Sequence, residues 1–305
     1  MRFSIRASAT ARRTQEPRIA AAAGPRAATT FQLYLRQLSA RVGLGIVCVI
    51  VVLAVVGPAV APQNPLELHL ADKLRGPSVA YLLGTDEFGR DLLSRLLHGA
   101  RLSLGVAGTA VALGALLGTG SGLVAGYSGG LADSVLMRAW DVLLAFPVIL
   151  LGLVIVTILG PSAVSTTLAV TAINIPVFSR LARAGTLVET AKPYVEAARS
   201  IGATEIGIMR RHVLPNIVPH LITQAAIAAA TAVLLEAAFS FLGLGVQPPR
   251  PSWGAMLQQA RLYLTENPWY GIFPGVAITT LVLGLNLVAD GLRNALDPSY
   301  RRRSS

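Results

Sequence analysis

The stretch YVEAARSIGATEIGIMRRHVLPN, residues 194–216, decides the fold: it is polar at both ends of an apolar stripe and lies between two long segments with the composition of membrane spans. In its first half Tyr194, Ala197, Ala198 and Ile201 recur at i, i+3, i+4 and i+7. That spacing predicts one face of a short helix, with Glu196, Arg199 and Ser200 turned away. Pro193 suits the first helical position and Gly202 the exit. Beyond the glycine, Thr204 is placed to cap a second helical piece ending near Val213, and Pro215 opens the next apolar segment. The expectation is two short helices meeting at a glycine elbow. An amphipathic helix resting on a membrane surface would show the same pattern, so the meaning of the stretch depends on its flanks.

The flanks are those of a membrane protein. Over 305 residues, 53% are hydrophobic and 13% charged, against about 25% charged in ordinary soluble domains. The net charge of +11 would raise the question of nucleic acid in a soluble chain; here the insertion rule and the anionic inner leaflet account for it, and no nucleic-acid partner is expected. The single cysteine, Cys48, lies in an apolar run, which rules out an intramolecular disulfide and reads as a small buried side chain. Residues 1–41 hold eight Arg and one Glu without a sustained apolar period, the composition of a disordered basic tail. Although Arg-rich like a transit peptide, this tail runs straight into a long apolar segment, so we read it as retained and cytoplasmic.

Residues 42–61 carry no charge and match the ~20 residues that cross a ~30 Å hydrocarbon core. A polar interlude, 62–99, ends in an amphipathic piece with Leu92, Leu93, Leu96 and Leu97 on one face, expected to lie along the interface. Further spans are read at 102–125, 133–159 (bent at Pro147), 162–178, 217–242 and 271–289, giving a transmembrane domain over 42–292 with a cytoplasmic loop at 190–215 and a basic C-terminal tail at 293–305. Gly118, Gly120, Gly122 and Gly126 lack a preceding strand and the spacing of a phosphate loop, and read as helix packing. Six spans put both termini on one side. With that side cytoplasmic, nineteen Lys and Arg fall inside and seven outside, which places residues 194–216 in the cytoplasm.

Chemistry is conspicuous by what is missing. The sequence has no G-x-x-x-x-G-K-[ST], no H-E-x-x-H and no G-x-S-x-G, and its His residues at 69, 98, 212 and 220 are scattered. The chain is therefore read as no enzyme, with no nucleotide, cofactor or metal site of its own. Ionisable groups in or near spans cost about 2.5–3.5 kcal/mol each at a helix centre, which singles out Asp141, Glu236 and Asp290. Asp141 has Arg138 one turn back as a partner; Asp290 reads as an interfacial anchor; Glu236 is either a buried charge with a partner on another helix or a lumen-facing group.

The motifs in their order carry a resemblance. Glu196, Ala197 and Ala198 with Gly202, Ile208, Leu214 and Pro215 are similar to the cytoplasmic loop of ABC importer permeases. Leu83, Gly84, Thr85 and Asp86 with Gly89, Arg90, Asp91, Ser94 and Arg95 resemble the entry to the second span of dipeptide, oligopeptide and nickel permeases. So do Asp133, Asp141 and the Ala145-Phe146-Pro147 run. Glu236, Gln247, Pro248, Trp253, Asp290 and Pro298 fall in later motifs of the same family. The match runs from about residue 82 to 298 and looks like the second permease of the pair. It implies an all-α type I ABC importer permease fold with six transmembrane helices and cytoplasmic termini, in the bacterial inner membrane. The implied partners are membrane lipid, a second permease, one or two ABC ATPase subunits that bind ATP and Mg, and an extracytoplasmic substrate-binding protein. The resemblance assigns Tyr194, Glu196, Ala197, Ala198, Arg199 and Gly202 to ATPase docking. It turns Gly84, Thr85, Asp86, Gly89, Arg90, Asp91, Gln247, Pro248 and Trp253 toward the binding protein. Short peptides are the implied cargo, with nickel or another small solute as the alternative; outside the family, an ion-coupled carrier or a non-transporting scaffold are the competing readings.

Overall fold

The computed structural model describes residues 30–296. In chain order its main helices are α1 (Thr30–Arg36), α2 (Leu38–Val60), α3 (Leu92–Ser128), α4 (Gly130–Leu144), α5 (Val148–Leu159), α6 (Ala163–Thr190), α7 (Pro193–Ser200), α8 (Glu205–Ile208), α9 (Leu214–Phe241), α10 (Trp253–Ala260) and α11 (Trp269–Leu296). Among the described residues there is no strand, only an isolated bridge between Thr85 and Asp91. Five helices are long and apolar enough to cross a membrane, or six if the bent pair α4–α5 counts as one span.

Several boundaries differ from the sequence reading, each for a local reason. The basic tail expected to reach residue 41 gives way to helix from Thr30, because Leu33 and Tyr34 find a buried seat with Ala40 and with Ala295 of α11. Residues 1–29 and 297–305, the rest of the two expected tails, lie outside the described residues. The amphipathic piece at 92–98 is not a separate interfacial helix but the first turns of α3. Asp91 caps it by accepting from Ser94 N at 2.8 Å, and its polar face is covered by the chain's own preceding segment instead of water. The basic run at 179–183 belongs to α6. The expected second short helix is the start of one long helix, Glu205–Phe241. Pro215, which has no N–H to give the preceding turn, is accommodated just after the helix widens to π geometry over Met209–Val213.

The stretch read as the third span shows more than the expected bend. Its two halves meet at 92° across Ala145-Phe146-Pro147. Elsewhere packing depends on small residues that let helix axes approach. Gly114, Gly118, Gly122 and Gly126 form one i, i+4 row on α3, and a Cβ on each would press into α6: Asn174 Cβ at 2.6 Å from position 114, the Ile175 carbonyl at 2.5 Å from 118, the Ser179 carbonyl at 122, and the Arg183 carbonyl at 2.8 Å from 126. Gly120 points into open space and has no part in the row. α9 lies against this pair, and the buried core fills the space between them with Val170, Phe178, Ala228, Ala232 and Phe239.

Candidate functional site

Between α6 and the long helix, α7 is seated by Val195 and Ala198, which are buried with Ile208 and Val213 and backed by Leu123 and Tyr127. The predicted stripe is thereby corrected. Of its four members only Ala198 faces inward; Tyr194 and Ala197 are exposed, and Ile201 is 86% exposed. An eight-residue helix has room for two inward positions, and Val195, which the stripe omitted, takes one of them. Glu196 and Arg199 face solvent, as the spacing predicted.

The elbow is built as read. Gly202 adopts φ +84, where a side chain would be strained. Gly202 N donates to Arg199 O at 2.9 Å, Ala203 N to Ala198 O at 3.1 Å, and Gly207 N to the Thr204 hydroxyl at 3.2 Å. Beside it a cavity of ≈ 540 Å³ is lined by Thr204, Ile206, Arg210 and Arg211, an apolar and cationic concavity next to the bare Ile201.

Sequence reasoning missed the residue that ties α7 to the spans. Glu189, buried at the end of α6, accepts from Lys192 Nζ through Oε1 and from the Tyr194 hydroxyl through Oε2, both at 2.5 Å. Asn216 Nδ2 donates to the Tyr194 oxygen at 3.1 Å and to His212 O at 2.6 Å. One tyrosine thus joins α6, α7 and the long helix. Burial, followed by the hydrogen bond to Glu189, holds the Tyr194 phenol protonated to higher pH than usual. Lys192 at i+3 from an acid closing a span was the signal available in the sequence.

At the opposite end of the helices the polar motif is a scaffold, not a surface. Asp86 is fully buried; its Oδ1 accepts from Phe88 N and Arg90 N, and its Oδ2 faces Arg90 Nε at 2.6 Å and Arg95 Nε at 3.2 Å. Arg95, 2% exposed, also donates to Pro65 O at 3.2 Å and to Gln259 Oε1 at 3.4 Å. The Tyr270 hydroxyl lies 2.6 Å from Glu87 Oε2, and Asn267 Nδ2 donates to the carbonyls of Arg75 and Thr85, both at 3.1 Å. Gly84 and Gly89, at φ +86 and +75, let this loop fold back on Arg75 and His69. Trp253 is buried too, its Nε1 donating to Leu96 O at 3.0 Å. Burial of Gly84, Thr85, Asp86, Gly89, Arg90, Asp91 and Trp253 removes them from any contact surface in this conformation. Their charges are spent on one another. Of the expected outward-facing residues, Gln247 and Pro248 are exposed.

The ionisable groups of the spans also find their places. Asp141 pairs across helices with Arg180 at 2.5 Å instead of with Arg138, and Asp133 pairs with Arg183, so α4 is pinned to α6 twice. Asp290 is exposed near the end of α11. Glu236 is buried and takes a hydrogen bond from Ser240 at 2.8 Å; it does not face an open lumen in this chain. Among the described residues no group of three His, Cys, Asp or Glu is placed to hold a metal ion.

Comparison with known proteins agrees with this architecture. A dipeptide transport system permease protein DppC of Alkalihalophilus pseudofirmus is 41% identical over 89% of this chain and 89% of its own length. A di/tripeptide transport system permease protein DppC of Pseudomonas aeruginosa is 43% identical over 89% and 91%. A glutathione transport system permease protein GsiD of Pectobacterium atrosepticum is 46% identical over 74% and 75%. The family model for the binding-protein-dependent transport system inner membrane component matches residues 92–302. The chain therefore belongs to that family: it is a multi-pass membrane permease of an ABC transporter and not itself an enzyme.

Proposed function

We propose that the chain forms half of the translocation path of an ATP-driven importer of short peptides. In this reading it sits in the bacterial inner membrane, α4–α5 counts as one of six spans, and both termini are cytoplasmic. The excess of Lys and Arg on the α7 side supports the orientation. The relatives' names support the cargo.

The observation that carries the reading is the outward face of α7. A helix fixed from below by Val195 and Ala198 leaves Ile201 bare beside a concavity with Arg210 and Arg211. Exposed apolar side chains ringed by charge mark a partner's seat. The partner is a cytoplasmic ATPase subunit that holds ATP and Mg, and Tyr194, Glu196, Ala197, Arg199 and Gly202 meet it or shape the contact. Closure of the ATPases pulls on α7, and the Tyr194 junction passes that pull to α6 and α9 together. A second permease completes the path. Outside, Gln247 and Pro248 are offered to the substrate-binding protein, while the Asp86 network holds the surface in shape.

Proteoliposomes holding the permease pair and its ATPases test this. Labelled dipeptide should enter only with ATP on the ATPase side and loaded binding protein on the other. Uptake that persists without ATP and collapses with an ion gradient would establish a secondary carrier instead. The glutathione permease relatives support a second cargo, which competition of glutathione against dipeptide uptake would reveal.

A further inference from the structure

A cavity of ≈ 750 Å³ opens at the end of the helices opposite α7, within the roughly 300–1,000 Å³ of small-molecule sites. Leu102 and Val106 of α3, Val164 of α6 and Pro251 give it apolar walls. Its charges are of one sign: Arg101 and Arg250 stand exposed at it, with half-buried His98, and no Asp or Glu lines it. Among the described residues neither arginine has an ion-pair partner, unlike Arg90 and Arg95, which share Asp86. A second hollow of ≈ 270 Å³ adjoins through Leu102, Ala163 and Arg250, and the exposed Gln247 and Pro248 line it too. The cavity therefore begins beside the residues offered to the binding protein.

The α3 wall of this cavity is not built for lipid. From 101 to 112 the exposed positions of the helix are Arg101, Gly105, Gly108, Thr109 and Ala112. On α2 the exposed positions include Val49, Val52, Val55, Val56 and Val60, bulky apolar side chains that gain from contact with hydrocarbon as glycine and threonine do not. A Cβ at Gly105 or Gly108 would meet nothing within 4 Å, so packing inside the chain does not require these glycines, and they leave room over the helix backbone. A short peptide fits such a surface, its side chains on Leu102, Val106 and Val164. Its C-terminal carboxylate supplies the charge the arginines lack, and a guanidinium grips a carboxylate through two parallel N–H donors. We propose that this cavity receives the cargo as it leaves the binding protein, with Arg101 and Arg250 holding the C-terminal carboxylate of a short peptide. This rests on the importer reading above and names the group by which the permease recognises its cargo.

The test uses the complete complex of permeases, ATPases and binding protein in proteoliposomes, with uptake of labelled dipeptide and tripeptide and ATP hydrolysis measured together. With Arg101→Gln and Arg250→Gln combined, the peptide delivered per ATP hydrolysed is expected to fall about ten-fold or more. Arg101→Lys with Arg250→Lys, which keeps the charge, should recover part of it. Arg261→Gln, at an exposed arginine outside the cavity that stacks on Phe241, should leave the ratio as it was. An unchanged ratio in the glutamine pair overturns the proposal. So does an equal fall in uptake and hydrolysis, which would make the arginines a seat for the binding protein, and so does phospholipid lost from the glutamine pair with the ratio intact, which would make the cavity a lipid site. If the arginine variants fail to assemble, Gly105→Leu decides, because its side chain enters open space in the cavity. Tripeptide uptake should then drop more than dipeptide uptake, and no difference between the two overturns the proposal. Absence of ATP-dependent uptake in the unmodified complex would overturn the importer reading itself before any variant is compared.

Discussion

Adding one methyl group at position 122 should separate packing from helix propensity. Gly122 and Gly120 both lie inside α3, two residues apart. A Cβ at 122 would run into the Ser179 carbonyl and lie 2.8 Å from Ala182 Cβ and 3.0 Å from Arg183 N, all on α6, whereas a Cβ at 120 would meet nothing within 4 Å. Gly→Ala at either site gains the same propensity, up to about 1 kcal/mol. Only Gly122→Ala overpacks, and backbone atoms cannot turn aside as a side chain end can, so the full cost of about 1–3 kcal/mol applies. The propensity gain cancels in the comparison. The two variants should therefore differ by roughly 5- to 150-fold in their folded-to-unfolded ratio, with Gly120→Ala at or above the unmodified chain. Denaturation of the detergent-solubilised permease, followed by fluorescence-detected size exclusion, measures this. Equal stability of the two variants would refute the close α3–α6 approach.

Asp86→Ala leaves the buried guanidinium groups of Arg90 and Arg95 without their shared carboxylate. Breaking such a pair costs about 3–5 kcal/mol, and limited proteolysis should then cut within residues 61–91 faster than in the unmodified protein. Tyr194→Phe loses the donation to Glu189 at a partly exposed junction; a loss of about 0.5–1 kcal/mol is expected, seen as faster hydrogen exchange of the α7 amides with the spans unaffected. Ile201→Asp should leave permease stability within about 0.5 kcal/mol, because the side chain touches little, yet weaken ATPase co-purification about ten-fold or more.

What the sequence disclosed follows from the range of the interactions involved. Spans announce themselves through runs without charge, and the elbow through Pro193, Gly202 and Thr204, each acting within its own turn. Partners far along the chain leave no such trace. Asp141 was matched with Arg138 one turn back, yet Arg180 on a neighbouring helix reaches it. The 84–95 motif reads as surface because it is polar; it is buried because Asn267 and Tyr270, more than 180 residues away, close over it. The inward face of α7 was misjudged for a related reason. Apolar periodicity counts Tyr194 and Ile201 as core, although an exposed apolar residue leaves the same mark in the sequence as a buried one.

The break at Ala145-Phe146-Pro147 gives one apolar stretch two seats. α4 is clamped to α6 by two ion pairs. α5, turned by 92°, packs chiefly on α6 as well, and a Cβ at Gly152 would run into the Phe239 ring of α9. A straight helix through the same residues could keep only one of these seats, so the corner acts as a bracket that braces α6 along two directions.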